Sequence, residues 1–400
     1  MPQANDSINA TFYLSGLARL DQAIQREIDA GHIPGATLLL ERGGVIAHEK
    51  AYGMQDPDGT TPMATDTIFR IYSMTKPIVS VAIMMLAEQG RLLISDPVSR
   101  YLPALANLQV ATEHVAADGS RSMTLAPCVR EMTIQDLLRH TAGLTYGIFG
   151  ESTLVKQAYL ASGIEGRHIT NAGLVDCLSR LPLAFQPGTD WDYSRATDLL
   201  GALLEKISGQ TLDVHLQEQI FAPLQMPDTG FWVAPAQQHR MAQPFPVDPV
   251  TQQAVRLLDG RSRPDFLSGG GGLLSTARDY LRFARLLRNG GELDGVRLLS
   301  RKTIAFMTSD HLAGIPGATA GAAYLPGPGY GFGLGFAVRN TVGSAPTPGS
   351  VGDFLWSGLA GTYFWIDPQE DLIAIWLMQA PEQRDRFRQL VRNLVHASLT

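Results

Sequence analysis

Ser73-Met74-Thr75-Lys76 sets a hydroxyl and an amine three residues apart. On a helix such residues share a face, so Lys76 can reach the Ser73 hydroxyl. A serine hydroxyl is a weak nucleophile until a base takes its proton. A lysine can serve once burial and nearby positive charge bring its pKa down from about 10.4 toward neutrality. Pro77 adds a positional constraint, because proline fits the first turn of a helix and is costly beyond it. The helix should therefore start close to Ser73, with the Ser73 N–H at the positive end of the dipole, able to face a developing oxyanion. Taken alone the motif is weak, and a simple N-cap is the plainer reading of Ser73.

Two other segments carry groups that would complete such a site. In Pro187-Gly188-Thr189-Asp190-Trp191-Asp192-Tyr193-Ser194 a Pro-Gly loop and aromatics precede a helix start. A phenol presented there beside a lysine could relay the serine proton; a core tyrosine packed on Trp191 is the plainer alternative. In Trp356-Ser357-Gly358-Leu359, glycine in a strand marks close backbone approach by a ligand, and, an edge strand having unpaired N–H groups, the Leu359 N–H could be a second oxyanion donor. Without the other two segments a turn is the better reading.

Competing chemistries find little support. There is no Gly-x-Ser-x-Gly. The nine histidines are scattered without His-Glu-x-x-His, and no Cys-x-x-Cys occurs, so no metal site is expected. His140, at a predicted helix end, reads as a capping or core histidine. The run Gly269 to Gly272 has no Gly-Lys-Ser/Thr after it and reads as a flexible connection where the chain returns to a sheet.

The elements that must position these groups follow from periodicity. Leu17, Leu20, Ile24 and Ile28 predict an amphipathic helix over 17–30. Two apolar runs, 36–42 and 45–52, flank Gly43-Gly44 as a β-hairpin. A helix is predicted from Ser73 to Gln89, and another with Asp96 as N-cap and Pro97 at its first position. Capping boxes are predicted at Thr133-x-x-Asp136 and Thr276-x-x-Asp279, the latter opening a helix to Leu287. Further helices are expected over 193–206, 212–221 and 384–396. Residues 312–330, rich in Gly, Ala and Pro, read as a loop. Strands are predicted at 332–338, 354–356, 362–366 and 372–378, joined by short turns and hence antiparallel. Strands at both ends and helices between them give an α+β fold: an antiparallel sheet flanked by helices, from residues 1–95 and 267–400, with a mostly helical domain, 96–266, inserted.

Composition narrows the partners. A net charge of −6 argues against nucleic acid. The longest apolar stretch, 78–87, is broken by Ser80 and too short to span a bilayer, so no membrane association is expected. Residues 1–16 lack a basic and apolar leader pattern. Two cysteines, Cys128 and Cys177, read as buried thiols of a reducing compartment, pointing to the cytoplasm. Oligomeric state is left open.

In their order, Ser73-x-x-Lys76, Tyr193-Ser194 and Trp356-Ser357-Gly358 resemble the serine β-lactamase and penicillin-binding-protein fold. The chain is most similar to the esterases of that fold, the family VIII carboxylesterases, themselves similar to class C β-lactamases. Supporting stretches are 68–77, Leu137-Leu138-Arg139-His140-Thr141-Ala142-Gly143-Leu144, and 272–276; the likeness spans roughly 15–395. The resemblance implies Ser73 as the acylated nucleophile, Lys76 and Tyr193 together as general base and acid, and Ser73 and Leu359 as oxyanion donors. Trp356-Ser357-Gly358 would line the cleft where β-lactamases have Lys-Thr-Gly. No cofactor is implied. Two departures bear on substrate. Trp356 removes a cation that would meet a penicillin carboxylate, and Arg195 replaces the asparagine of Tyr-x-Asn. Both favour small, neutral carboxylic esters, although an inward-pointing Arg195 would return positive charge and keep weak β-lactam hydrolysis open. A β-lactamase or D-amino-acid peptidase, or an acyltransferase of the same fold, is the alternative.

Overall fold

The structure is a computed structural model that describes residues 11–164, 169–315, 318 and 327–400. Residues 1–10, on which much of the leader reading rests, and 316, 317 and 319–326 of the expected 312–330 loop lie outside the described residues.

Helix α1 (Leu14–Asp29) leads into the hairpin β1 (Gly35–Arg42) and β2 (Val45–Gly53). The short strand β3 (Phe69–Arg70) precedes α2 (Thr75–Glu88). The middle of the chain carries a hairpin, β4 (Gln109–Val115) and β5 (Arg121–Pro127). Five helices follow: α3 (Ile134–Leu138), α4 (Leu154–Ala161), α5 (Asn171–Leu178), α6 (Ala196–Ser208) and α7 (Leu212–Leu216). The chain returns through β6 (Leu274–Ser275), α8 (Ala277–Arg288), the small hairpin β7 (Glu292–Leu293) and β8 (Val296–Arg297), and α9 (Arg301–Met307). It closes with β9 (Tyr330–Phe332), β10 (Ala337–Arg339), β11 (Phe354–Ser357), β12 (Tyr363–Asp367), β13 (Leu372–Met378) and α10 (Arg384–His396).

Seven strands form one antiparallel sheet in the order β2-β1-β13-β12-β11-β10-β9, so the two ends of the chain share it as expected. Helices cover both faces. On β12, Phe364 packs on Tyr280 of α8, while its neighbour Trp365 stacks on His396 of α10. Successive residues of a strand point to opposite faces, so α8 and α10 lie on opposite sides of the sheet. The core continues into α2, whose residues Thr75 to Leu86 are all buried. A helix apolar on all sides is one enclosed by protein.

Several sequence expectations need correction. Asp96-Pro97 opens no α-helix, only a 3-10 turn over Val98–Arg100. The Asp96 carboxylate instead collects Leu93 N–H, Arg100 and the Tyr101 hydroxyl. The predicted strand 332–338 is a hairpin, β9 paired with β10, because Gly333 and Gly335 turn the chain; Gly335 adopts φ 97° against Ser80 of α2. The 193–206 helix begins only at Ala196, and the 212–221 helix gives way to a π-turn after Leu216. The Thr133 capping box is complete. At Thr276 only half forms, because the Asp279 carboxylate turns instead to the N–H of Asp228 and the hydroxyl of Thr229.

Among the described residues no helix is long and apolar enough to cross a membrane, and no group of three or more His, Cys, Asp or Glu could hold a metal ion.

Candidate active site

Ser73 sits in a 3-10 turn, Tyr72–Met74, that runs directly into α2. Pro77 is thus the third α-helical residue, within the first turn as its missing N–H requires. Tyr72 takes a left-handed backbone, φ 44°, uncommon for a bulky residue. Its hydroxyl accepts the Leu258 N–H, 2.8 Å away, which anchors the strained turn from the side-chain end. Strain of this kind persists only where the surroundings over-determine it, and it clusters at functional sites.

The structure brings Ser73, Lys76 and Tyr193 together. Lys76 Nζ lies 3.2 Å from Ser73 Oγ, and the Tyr193 hydroxyl donates to the same Oγ at 2.7 Å. Lys76, only 1% exposed, also donates to the Gly270 carbonyl at 2.7 Å and to the Tyr146 hydroxyl at 3.2 Å. Burial brings the Lys76 pKa down to about 7; Asp198 opposes this and Arg195 adds to it. Burial pushes the Tyr193 phenol well up, only partly offset by its bond to Ser73. Near neutral pH, then, the amine can be unprotonated while the phenol keeps its proton.

Tyr193 is not on a helix. It belongs to the loop ahead of α6 and is held by aromatic neighbours: His140, Tyr146 and Trp356 lie 5.1, 5.3 and 5.3 Å from its ring centroid. His140 serves as both cap and core residue. It ends α3 in the left-handed conformation, φ 60°, and is 1% exposed. Burial keeps it neutral, and its Nδ1 accepts the Ser194 N–H at 3.3 Å, fixing the residue after Tyr193.

Trp356, on β11, is buried between Tyr193 and Phe332. Ser357 and Leu359 are half-buried and line the cleft beside Ser73. None of the turn, loop and cap hydrogen bonds among the described residues uses the N–H of Ser73 or Leu359. Gly358 lets the strand end press against the segment before Ser73. A Cβ there would lie 2.2 Å from Thr362 Oγ1 and 2.4 Å from the Ile71 carbonyl. Gly358→Ala is therefore expected to destabilise the fold by about 1–3 kcal/mol, read by thermal denaturation. By shifting the Ser73 turn it should also slow turnover of an activated ester by at least about tenfold.

Arg195 does point inward, 4.9 Å from the Tyr146 ring centroid, but its charge is paired with Asp198 at 3.2 Å. The positive charge that an inward Arg195 would bring to the cleft is thus engaged. Two cavities meet at Ser73, Phe149, Tyr193 and Leu359. One, of 690 Å³, runs along the 256–266 segment past Ile148, Ile164 and Phe231. The other, of 530 Å³, is walled by Trp356 and by Arg384, Arg388 and Arg392 of α10. Of these, Arg388 and Arg392 are already paired, with Asp385 and Asp353.

Sequence reasoning missed four contributors: Tyr146, Asp198, the Gly270 carbonyl and Arg388. The Gly269 to Gly272 run is no flexible connection. A Cβ at Gly269 would meet the Thr197 carbonyl at 2.6 Å, and one at Gly270 the Asp198 carboxylate at 2.8 Å. The glycines bring a carbonyl onto Lys76, while Asp198 holds Gly270 N–H at 2.8 Å. Four adjacent glycines were themselves the signal of close backbone approach.

A family model described as Beta-lactamase matches residues 20–397. Protein Rv1367c of Mycobacterium tuberculosis is 37% identical over 368 residues, covering 90% of this chain and 89% of that protein. Esterase EstB of Burkholderia gladioli is 31% identical over 372 residues, covering 88% of this chain and 87% of that protein. A solved structure of "EstCE1, a hydrolase with promiscuous acyltransferase activity" superposes with a TM-score of 0.78 at 28% identity, covering 96% of this chain and 99% of that one.

Proposed function

Since the chain belongs to the beta-lactamase family, we propose that it is a serine carboxylesterase that hydrolyses small, short-chain carboxylic esters through an acyl-enzyme on Ser73. The observation that carries this is the convergence of Lys76 Nζ and the Tyr193 hydroxyl on one Ser73 Oγ inside a cleft. Neutral Lys76 takes the Ser73 proton, directly or through Tyr193, and Oγ attacks the ester carbonyl carbon. The N–H groups of Ser73 and Leu359 hold the oxyanion. The carbon–oxygen bond to the alcohol breaks, and the alkoxide leaves with the proton held by the Lys76–Tyr193 pair. Water, activated by the same pair, then attacks the acyl carbon, releasing the acid and restoring Ser73. The mechanism needs no cofactor, metal, nucleic acid or membrane. We place the enzyme in the cytoplasm, in keeping with its two free thiols. The same reading divides the chain into a sheet domain, 1–95 and 267–400, and a helical domain, 96–266.

The test is intact-mass measurement after incubation with a fluorophosphonate or a slow ester, followed by peptide mapping. One adduct on Ser73 is expected; an unlabelled Ser73 in protein that still turns over esters rules the nucleophile out. A pH profile checks the base. With a Lys76 pKa of about 7, the amine is protonated and idle below neutrality. Thus kcat/KM should rise with pH and level off above about 7. A rate that falls across that range contradicts the assignment.

Transfer to an alcohol is a second outcome of the same acyl-enzyme. The relative described as having promiscuous acyltransferase activity and the presence of two lobes meeting at Ser73 both favour it. Ester formation from an added alcohol, in competition with hydrolysis, measures it. With tryptophan at position 356, nitrocefin is expected to be turned over more slowly than p-nitrophenyl butyrate.

A further inference from the structure

The Gly358 carbonyl has two donors. Gly361 N–H closes a tight turn onto it at 3.1 Å, and Arg388 Nη2 of α10 reaches it at 2.9 Å. Arg388 is itself held by Asp385, 3.2 Å from its Nη1. We propose that Arg388 is a positioning residue for the oxyanion site: its guanidinium fixes and polarises the 358–359 peptide, whose N–H is the Leu359 donor. The proposal rests on the reading of Ser73 as the acylated nucleophile.

Three physical points carry it. A peptide unit is planar, with its C=O and N–H pointing in opposite directions, so a restraint on the Gly358 oxygen is a restraint on the direction of the Leu359 N–H. In the turn 358–361 the closing bond is made by Gly361, which leaves the Leu359 N–H outside the turn's own hydrogen bond. Finally, a cationic donor on a carbonyl strengthens the same amide's N–H as a donor, and hydrogen bonds in series polarise one another most where water is excluded. The effect grows in the transition state, when charge develops on the oxyanion, so it belongs in kcat rather than in substrate binding.

Because Arg388 also lines the cleft, a competing role exists: pairing directly with an anionic substrate. The two roles separate in kinetics. The experiment takes Arg388→Leu, Arg388→Gln and Arg388→Lys in the full chain, with p-nitrophenyl butyrate, a neutral ester, as the probe. Thermal melting establishes folding, and Arg388→Lys, which keeps charge and stem, guards against a variant that does not fold. Arg388→Leu should lose kcat by about tenfold to a hundredfold with KM held within about threefold. Arg388→Gln, a neutral donor, should fall between, and Arg388→Lys should recover part of the loss. Added methylguanidinium should restore part of the Arg388→Leu rate. Fluorophosphonate should still label Ser73 stoichiometrically in every variant, but more slowly in Arg388→Leu. A folded Arg388→Leu with kcat within about twofold of the parent overturns the proposal, as does a rise in KM at constant kcat. Absence of label on Ser73 in the active parent protein would instead overturn the nucleophile assignment, a result distinct from labelled Ser73 with unchanged kcat.

Discussion

Ser73→Ala is expected to lower ester hydrolysis by at least about 10³-fold while leaving the fold intact. The residue is half-buried at the head of α2, and its side chain caps no helix there. What it does have is two proton-carrying partners, Lys76 and Tyr193. Removing one oxygen therefore leaves a small polar gap that water can fill, so the thermal midpoint should move little. Activity against p-nitrophenyl butyrate, measured beside a melting curve, separates the two effects. Retained turnover in the folded variant would move the chemistry away from this serine altogether.

Lys76→Met is expected to lower kcat by about 10³-fold with the protein still folded. Methionine matches the lysine stem in volume and removes a buried amine that the interior disfavours in its charged form. Against this, the Gly270 carbonyl and the Tyr146 hydroxyl each lose a donor. An unsatisfied buried acceptor costs about 1–3 kcal/mol, so the two terms nearly offset. Turnover should thus fall far more than stability. The same variant should lose the rise in rate through about pH 7. If instead it keeps more than about a tenth of parental kcat, the proton goes to Tyr193, whose pKa would then have to be far lower than its buried setting implies.

Much of this organisation can be read from residue patterns, for identifiable reasons. Strands β1 and β13 are largely apolar runs bounded by glycine or aspartate, Gly43-Gly44 marks the turn into β2, and Thr133 caps a helix through its own sequence neighbour. Each is a local signal. The hairpin β4–β5 escaped because β5 is exposed along its whole length and so has no apolar face to reveal a period of two. Its Asp118-Gly119 turn was the one available cue. Within the site, Ser73 and Lys76 are linked by helical spacing, and Tyr193 and Trp356 were reached through the order of motifs. Tyr146, Asp198 and Arg388 approach the site from separate segments, and nothing local marks them. For Arg388 a partial signal existed: Arg384, Arg388 and Arg392 recur every four residues along one face of a predicted helix.

The pairing of the two chain ends has a consequence for synthesis. Arg42 of β1 lies opposite Leu372 of β13, so the partner strand emerges about 330 residues later. At a typical elongation rate that interval is roughly half a minute. Throughout it, Leu38, Leu39 and Leu40 have β2 on one side and an open edge on the other. A nascent chain in this condition presents an apolar strand to its neighbours on the polysome. Yield during expression should therefore depend on temperature and chaperone supply more than the stability of the finished sheet would suggest.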